Sequence, residues 1–240
     1  MSANESASVP EEISNTESWR QFYRKKHSGR FPTEWVVRTL AGGDYPQLKI
    51  DKSKYAGSRI LDLSCGDGRN LPLLLHLGFE VHATEVSQPI IADLQEIAHD
   101  QGWKVTFKAG RNTQLPYPDE YFDYILSCSS FYYMEGDTAW ETIMREVARI
   151  VRPGGMLVAN LPDPHNGVLS GAESLPDGSM TIRNDPFNLR NGLRFMVARR
   201  HDEVGRLLSP WFVPLGIGYQ SDDFYGLRVS AYFFAAQKAG

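Results

Sequence analysis

Two hydrophobic patterns take turns along the middle of the chain. Short, nearly continuous apolar runs at residues 59–64, 79–85, 105–108, 122–128 and 156–161 predict buried strands. Between them, residues 70–77, 87–99 and 138–151 repeat apolar positions every three to four residues and predict helices, with Ser87 placed as an N-cap. Pro153-Gly154-Gly155 predicts a turn into the fifth strand. Alternation of this kind implies a parallel sheet with helices on both faces. Upstream, residues 14–26 carry Trp19, Phe22 and Tyr23 at helical spacing. Residues 33–40 form a second helical stretch, opened by Pro32 where its missing N–H is harmless. Downstream, residues 162–187 are rich in Pro, Gly, Asp and Asn and lack periodicity. An unstructured loop of that length is uncommon in a compact domain and often functional. A helix at 200–208 and two strand-like runs, 211–219 and 227–238, complete the pattern.

Composition narrows the class. The 240 residues are 42% hydrophobic and 22% charged, enough for one globular domain with appendages. The net charge of -4 argues against nucleic acid as the main partner. Two cysteines, Cys65 and Cys128, make neither a disulfide framework nor a metal-ligand spacing, so no metal is expected and a reducing, cytoplasmic setting is. No apolar run approaches the ~20 residues of a membrane helix, so no membrane partner is expected. The polar, acidic start of the chain does not read as a secretory signal. Residues 1–14 are expected to be a disordered tail and residues 15–56 an N-terminal helical lid.

The candidate chemistry sits at the first strand-to-helix junction. In RILDLSCGDGRN (residues 59–70), Asp62 breaks the apolar run near the strand's carboxyl end, where open α/β sheets bind ligands. Gly66 and Gly68 allow a ligand close to the backbone. Seventeen residues past Gly68, Glu85 ends the second strand, where a carboxylate can take both hydroxyls of a ribose. Asp67 would repel a pyrophosphate, and Leu71 stands where a G-x-G-x-x-G turn needs its last glycine. A nicotinamide-dependent oxidoreductase is therefore a weak reading.

LDLSCGDG resembles the first motif of class I S-adenosylmethionine-dependent methyltransferases. The likeness continues through LPYPDEYFDYILS (115–127) and REVARIVRPGGMLVANLP (145–162), spanning roughly residues 57–162 with three motifs in order. The resemblance implies a Rossmann-like, doubly wound α/β fold. Its seven-stranded sheet would be mostly parallel and close with a C-terminal antiparallel hairpin. Residues 57–240 would form the cofactor-binding domain, with a substrate loop at about 162–198.

The resemblance also implies S-adenosyl-L-methionine as cofactor, lined by Asp62, Ser64, Cys65, Gly66, Gly68, Asn70, Glu85, Val86 and Ser127. Many relatives carry Gly-Asp before the LPYPD motif, where the Asp meets the adenine. Here Gly110-Arg111 stands instead. Arg111 cannot accept a hydrogen bond, so it would stack on the base, or Asn112 would supply the contact.

A methyl acceptor needs positioning, a dry site and sometimes a base. Asp163 and His165, beyond the fifth strand, are the candidate base pair. Tyr132 and Tyr133, following the fourth strand, together with Tyr23 and Trp35, are candidates to line the substrate site. Arg190 and Arg194 would grip a carboxylate or phosphate. The leading expectation is methyl transfer to a small molecule, at oxygen, with a sugar or secondary metabolite as acceptor and a monomer or homodimer as the working form. SCSSF replaces the N-P-P-Y-type signature of amino-group methylation. The alternative is a non-catalytic cofactor-binding module.

Overall fold

The computed structural model describes residues 11–25 and 31–239. Among the described residues, six α-helices, α1 (Glu11–Lys25), α2 (Glu34–Leu40), α3 (Leu71–His76), α4 (Gln88–Gln101), α5 (Trp140–Ile150) and α6 (His201–Leu208), accompany eleven strands. The first four strands are β1 (Arg59–Asp62), β2 (Glu80–Glu85), β3 (Val105–Ala109) and β4 (Phe122–Ser127). Next come β5 (Tyr133–Met134), β6 (Val151–Pro162), β7 (Glu173–Ser174), β8 (Met180–Thr181) and β9 (Arg194–Phe195). The last two are β10 (Phe212–Phe224) and β11 (Leu227–Lys238).

Seven strands form the main sheet in the order β10-β11-β6-β4-β1-β2-β3. β6, β4, β1, β2 and β3 run parallel, while β11 pairs antiparallel with both β6 and β10. This is the expected Rossmann-like, doubly wound α/β sheet with its antiparallel closing pair. From β1 the chain winds outward through β2 to β3, then returns to β4 on the other side of β1. The carboxyl ends of β1 and β4 therefore flank the crevice where winding reverses, the place such sheets bind ligands.

Leu61, Leu63, Phe122 and Ile125 belong to one apolar layer, with α5 and α6. Ile60, Val81, Tyr124 and Leu126 belong to the other, with α2, α3 and α4. Neighbours Ile60 and Leu61 of β1, and Ile125 and Leu126 of β4, thus feed opposite layers, as the pleat requires.

Four local expectations need correction. β1 ends at Asp62 and not at residue 64, because Ser64 takes a left-handed φ of 52° that takes the chain off the strand. Pro153-Gly154-Gly155 lies inside β6, where Gly154 (φ 74°) sits at a register shift against β4. α1 already runs from Glu11, inside the segment read as tail; residues 1–10 lie outside the described residues. The stretch after β6 is not structureless: its β7, β8 and β9 join β5 in a second, four-stranded sheet. Its strands are two residues long, too short to leave a periodic signature.

Candidate cofactor site

The turn after β1 is shaped by backbone conformations that side chains rarely adopt. Gly66 and Gly68 have φ of 62° and 74°. A Cβ at Gly68 would stand 3.0 Å from Leu71 and 3.2 Å from Leu94. Across the crevice, Ser129 is also left-handed at φ 61°. Its amide donates to Asn160 Oδ1 at 2.7 Å, and Asn160 Nδ2 donates back to Ser129 Oγ. Strained residues on both lips of a switch-point crevice are typical of ligand sites, where surrounding bonds hold them in place.

Two carboxylates meet at the turn. Asp62 is 1% exposed and its Oδ2 has no hydrogen-bond partner. Burial first, then the neighbouring Glu85, pushes its carboxyl up to about 8. Glu85 is buried as well. Its Oε1 accepts from the Gly66 amide at 2.8 Å and its Oε2 from the Val86 amide at 2.9 Å. Burial lifts it to about 7, against the downward pull of those two amides. Two buried acids, one with an orphaned oxygen, form a pocket short of positive charge.

The walls follow. Ser64 Oγ donates to Asn112 Oδ1 at 3.3 Å, and Asn112 Nδ2 donates to the Ser130 carbonyl at 3.2 Å, tying the β1 and β3 ends to the loop after β4. Ser127 Oγ lies 2.7 Å from Ser130 Oγ and accepts from the Phe131 amide, while Ser130 Oγ donates to the Leu63 carbonyl. Asn70 Oδ1 accepts from the Thr33 amide, which anchors the start of α2 to the glycine turn. Cys65 is buried, and burial raises its thiol well above its ordinary value.

α1 closes over this turn. A Cβ at Gly66 would lie 3.5 Å from the Tyr23 ring and hydroxyl. Burial, then Glu85, raises the Tyr23 phenol well above its usual range, so it stays protonated. Arg20 and Arg24 both fork onto Asp93 of α4 at 2.8–3.0 Å, and this holds the Asp93 carboxyl well below the usual carboxylate range. An Asp93→Ala variant is expected to show faster amide exchange across residues 16–25 than the wild-type chain. Unchanged protection would mean that the aromatic contacts alone seat the helix.

Several expected roles change here. Arg111 turns to Glu135, with Nη1 2.6 Å from Oε2, which directs its charge to the loop before α5. Ser87 makes no capping bond, and its Oγ is buried without a partner beside Val86. Trp35 is core: it is 8% exposed and stacks on Phe233 at 6.0 Å. Asp163 is buried on the hairpin side of the sheet, accepting from Tyr219 Oη at 2.5 Å, Ser230 Oγ at 2.9 Å and the His165 amide. The His165 ring is 75% exposed, with Nδ1 3.4 Å from Asp163. The pair braces the C-terminal hairpin. Ser130, Asn160 and Glu135 went unnoticed in the sequence, since single polar residues outside a motif carry no signal until the fold pairs them.

A model of the methyltransferase domain matches residues 61–159, which hold the glycine turn, both carboxylates and the loop after β4. Residues 61–159 form a methyltransferase domain. The chain is 35% identical over 109 residues to 27-O-demethylrifamycin SV methyltransferase of Amycolatopsis mediterranei, covering 42% of this chain and 38% of that one. It is 32% identical over 141 residues to methyltransferase GfsG of Streptomyces halstedii, covering 55% and 48%. The chain thus aligns with less than half the length of these relatives. Among solved structures, Burkholderia thailandensis 1,6-didemethyltoxoflavin-N1-methyltransferase, with bound 1,6-didemethyltoxoflavin and S-adenosylhomocysteine, shares the fold: TM-score 0.60, 16% identity, covering 99% of this chain and 94% of that one.

The cofactor of the domain is S-adenosyl-L-methionine, and the residues present fit it. Its sulfonium and ammonium are cations, which the orphaned Asp62 oxygen and the Glu85 carboxylate lack. Glu85 keeps lone pairs for ribose hydroxyls while holding Gly66 and Val86. Among the described residues no cluster of His, Cys, Asp and Glu could hold a metal, and no helix is long and apolar enough to cross a membrane.

Proposed function

We propose that the chain transfers a methyl group from S-adenosyl-L-methionine to an oxygen of a small organic acceptor. The observation that carries this reading is the pair of buried acids over the glycine turn, with Asp62 Oδ2 unpartnered. Oxygen as the acceptor atom draws support from the relative named for an O-demethylated substrate and from the absence of an amino-methylation signature after β4. The net charge of -4 favours a small organic acceptor over nucleic acid.

Bound at the turn, the cofactor supplies a methyl group activated by a cationic sulfur. The protein's task is then to orient, neutralise and dry. Asp62 and Glu85 fix the cationic nucleoside. Ser64, Asn112 and Ser130 lock the loops that wall it. Tyr23 on α1 covers the turn and narrows solvent access to the reacting atoms. The Asp163 carboxylate is committed to Tyr219 and Ser230, so this reading assigns it no part in the transfer.

Calorimetry separates the readings. The chain is expected to bind S-adenosylmethionine and not NAD; binding of NAD alone would remove the proposal. Cofactor binding without turnover across a broad acceptor screen would favour the non-catalytic module.

A further inference from the structure

We propose that the acceptor is an uncharged, planar aromatic ring, recognised by stacking between α1 and the small second sheet. This rests on the methyltransferase reading and names its substrate class.

The cofactor would be held at the Gly66 turn, so the walls beyond that turn would select the acceptor. The first wall residue is Tyr23, against Gly66. From there an aromatic chain runs outward. The Trp19 ring lies 5.6 Å from Tyr23 and 6.3 Å, edge-on, from Tyr133. Tyr133 lies 4.2 Å from Phe195, and Tyr132 stacks on Tyr133 at 5.3 Å. Three segments far apart in sequence — α1, β5 and β9 — thus bring rings to one place.

The cation in this wall does not favour an anion. Arg190 donates through Nε to Tyr133 Oη at 2.9 Å and through Nη1 to Asp185 Oδ2 at 3.1 Å, and the Asp185 side chain has no exposure. Its guanidinium carbon lies over the Trp19 ring, 4.7 Å from the centroid. Arg194 is likewise committed, to Asp177 and to the Gly136 carbonyl. An acidic acceptor would have to compete with a fully buried carboxylate for Arg190. A sugar would leave its hydroxyls desolvated against ring faces. Because Trp19 and Tyr133 touch, an acceptor enters by replacing their contact. Only another aromatic ring restores what is lost, at about two- to tenfold in affinity per ring pair. In the transfer, the acceptor oxygen's electron pair forms the O–CH3 bond while the C–S bond breaks and its pair stays on sulfur. The phenolic proton passes to water.

The test uses the full chain loaded with S-adenosylhomocysteine and three probes of one size: 2-naphthol, its saturated decahydro analogue, and 2-naphthoate. The naphthol should bind at least tenfold more tightly than either of the others. Trp19→Ala should erase that preference and Trp19→Phe retain most of it. Tyr133→Leu serves as the second probe of the wall if Trp19→Ala does not fold. No preference among the three, a preference for the carboxylate, or binding of none overturns this proposal alone. Failure of S-adenosylhomocysteine itself to bind would instead overturn the methyltransferase reading.

Discussion

Raising the pH from 6 to 8 should tighten S-adenosylmethionine binding by on the order of a hundredfold, with uptake of the cofactor releasing protons. In the free protein Asp62 and Glu85 are held up to about 8 and about 7 by burial, so at pH 6 both are mostly protonated. A cationic ligand wants them ionised, and each must lose its proton to bind it. The stability of the free protein moves the other way. The unfolded chain ionises these acids near ~4, so the folded state carries extra protons from there up to about 8. Their contribution to stability is therefore full at low pH and is lost as the pH rises through 7 and 8. Calorimetry in buffers of different ionisation heat reads the proton release directly. Asp62→Asn imitates the protonated acid. It should weaken binding about tenfold to a hundredfold at pH 8, as expected for a charge-assisted contact, and should flatten the upper part of the pH profile. Glu85→Ala should be worse, since it also strips the Gly66 and Val86 amides of their acceptor. An affinity independent of pH in the wild-type chain would show that neither acid meets the cofactor.

Phe131→Ala should destabilise the chain by about 3–5 kcal/mol, the range for a fully buried aromatic ring. Phe131 has no exposure and lies 5.3 Å from Trp140 of α5 and 6.2 Å from Phe234 of β11. Its amide also donates to Ser127 Oγ, so the same residue that fills the core sets the loop after β4. Chemical denaturation should therefore show a lower midpoint with an unchanged slope. Cofactor affinity should fall as well, because the loop loses its anchor. A loss below 1 kcal/mol would mean that the layer between β4 and α5 is looser than the ring contacts indicate.

The sheet was readable because burial on both faces makes parallel strands into apolar runs, and because periodicity separates them from helices. The β1 turn was readable because its glycines and Asp62 are adjacent in sequence, and Glu85 because it ends the next strand. Arg111 and Asp163 make contacts that the sequence did not announce, for a common reason. The partners of Arg111 and Asp163 — Glu135 for the first, Ser230 and Tyr219 for the second — stand 24 to 67 residues away, and no local pattern announces them. Trp35 and Tyr23 look alike in sequence, each an aromatic on an amphipathic helix. The packing sends one under the sheet onto Phe233 and the other over Gly66.

The sequence by itself determined the layered sheet, the order of its elements and the acidic, glycine-built pocket, because these depend on neighbours along the chain. Only the tertiary structure decided which polar groups were already spent and which stayed open. It folded much of the aperiodic stretch after β6 into a second sheet and gave Asp163 and Arg190 partners within the protein. It left Asp62 without a partner, because hydrogen-bond pairing between distant segments is settled by how the layers pack.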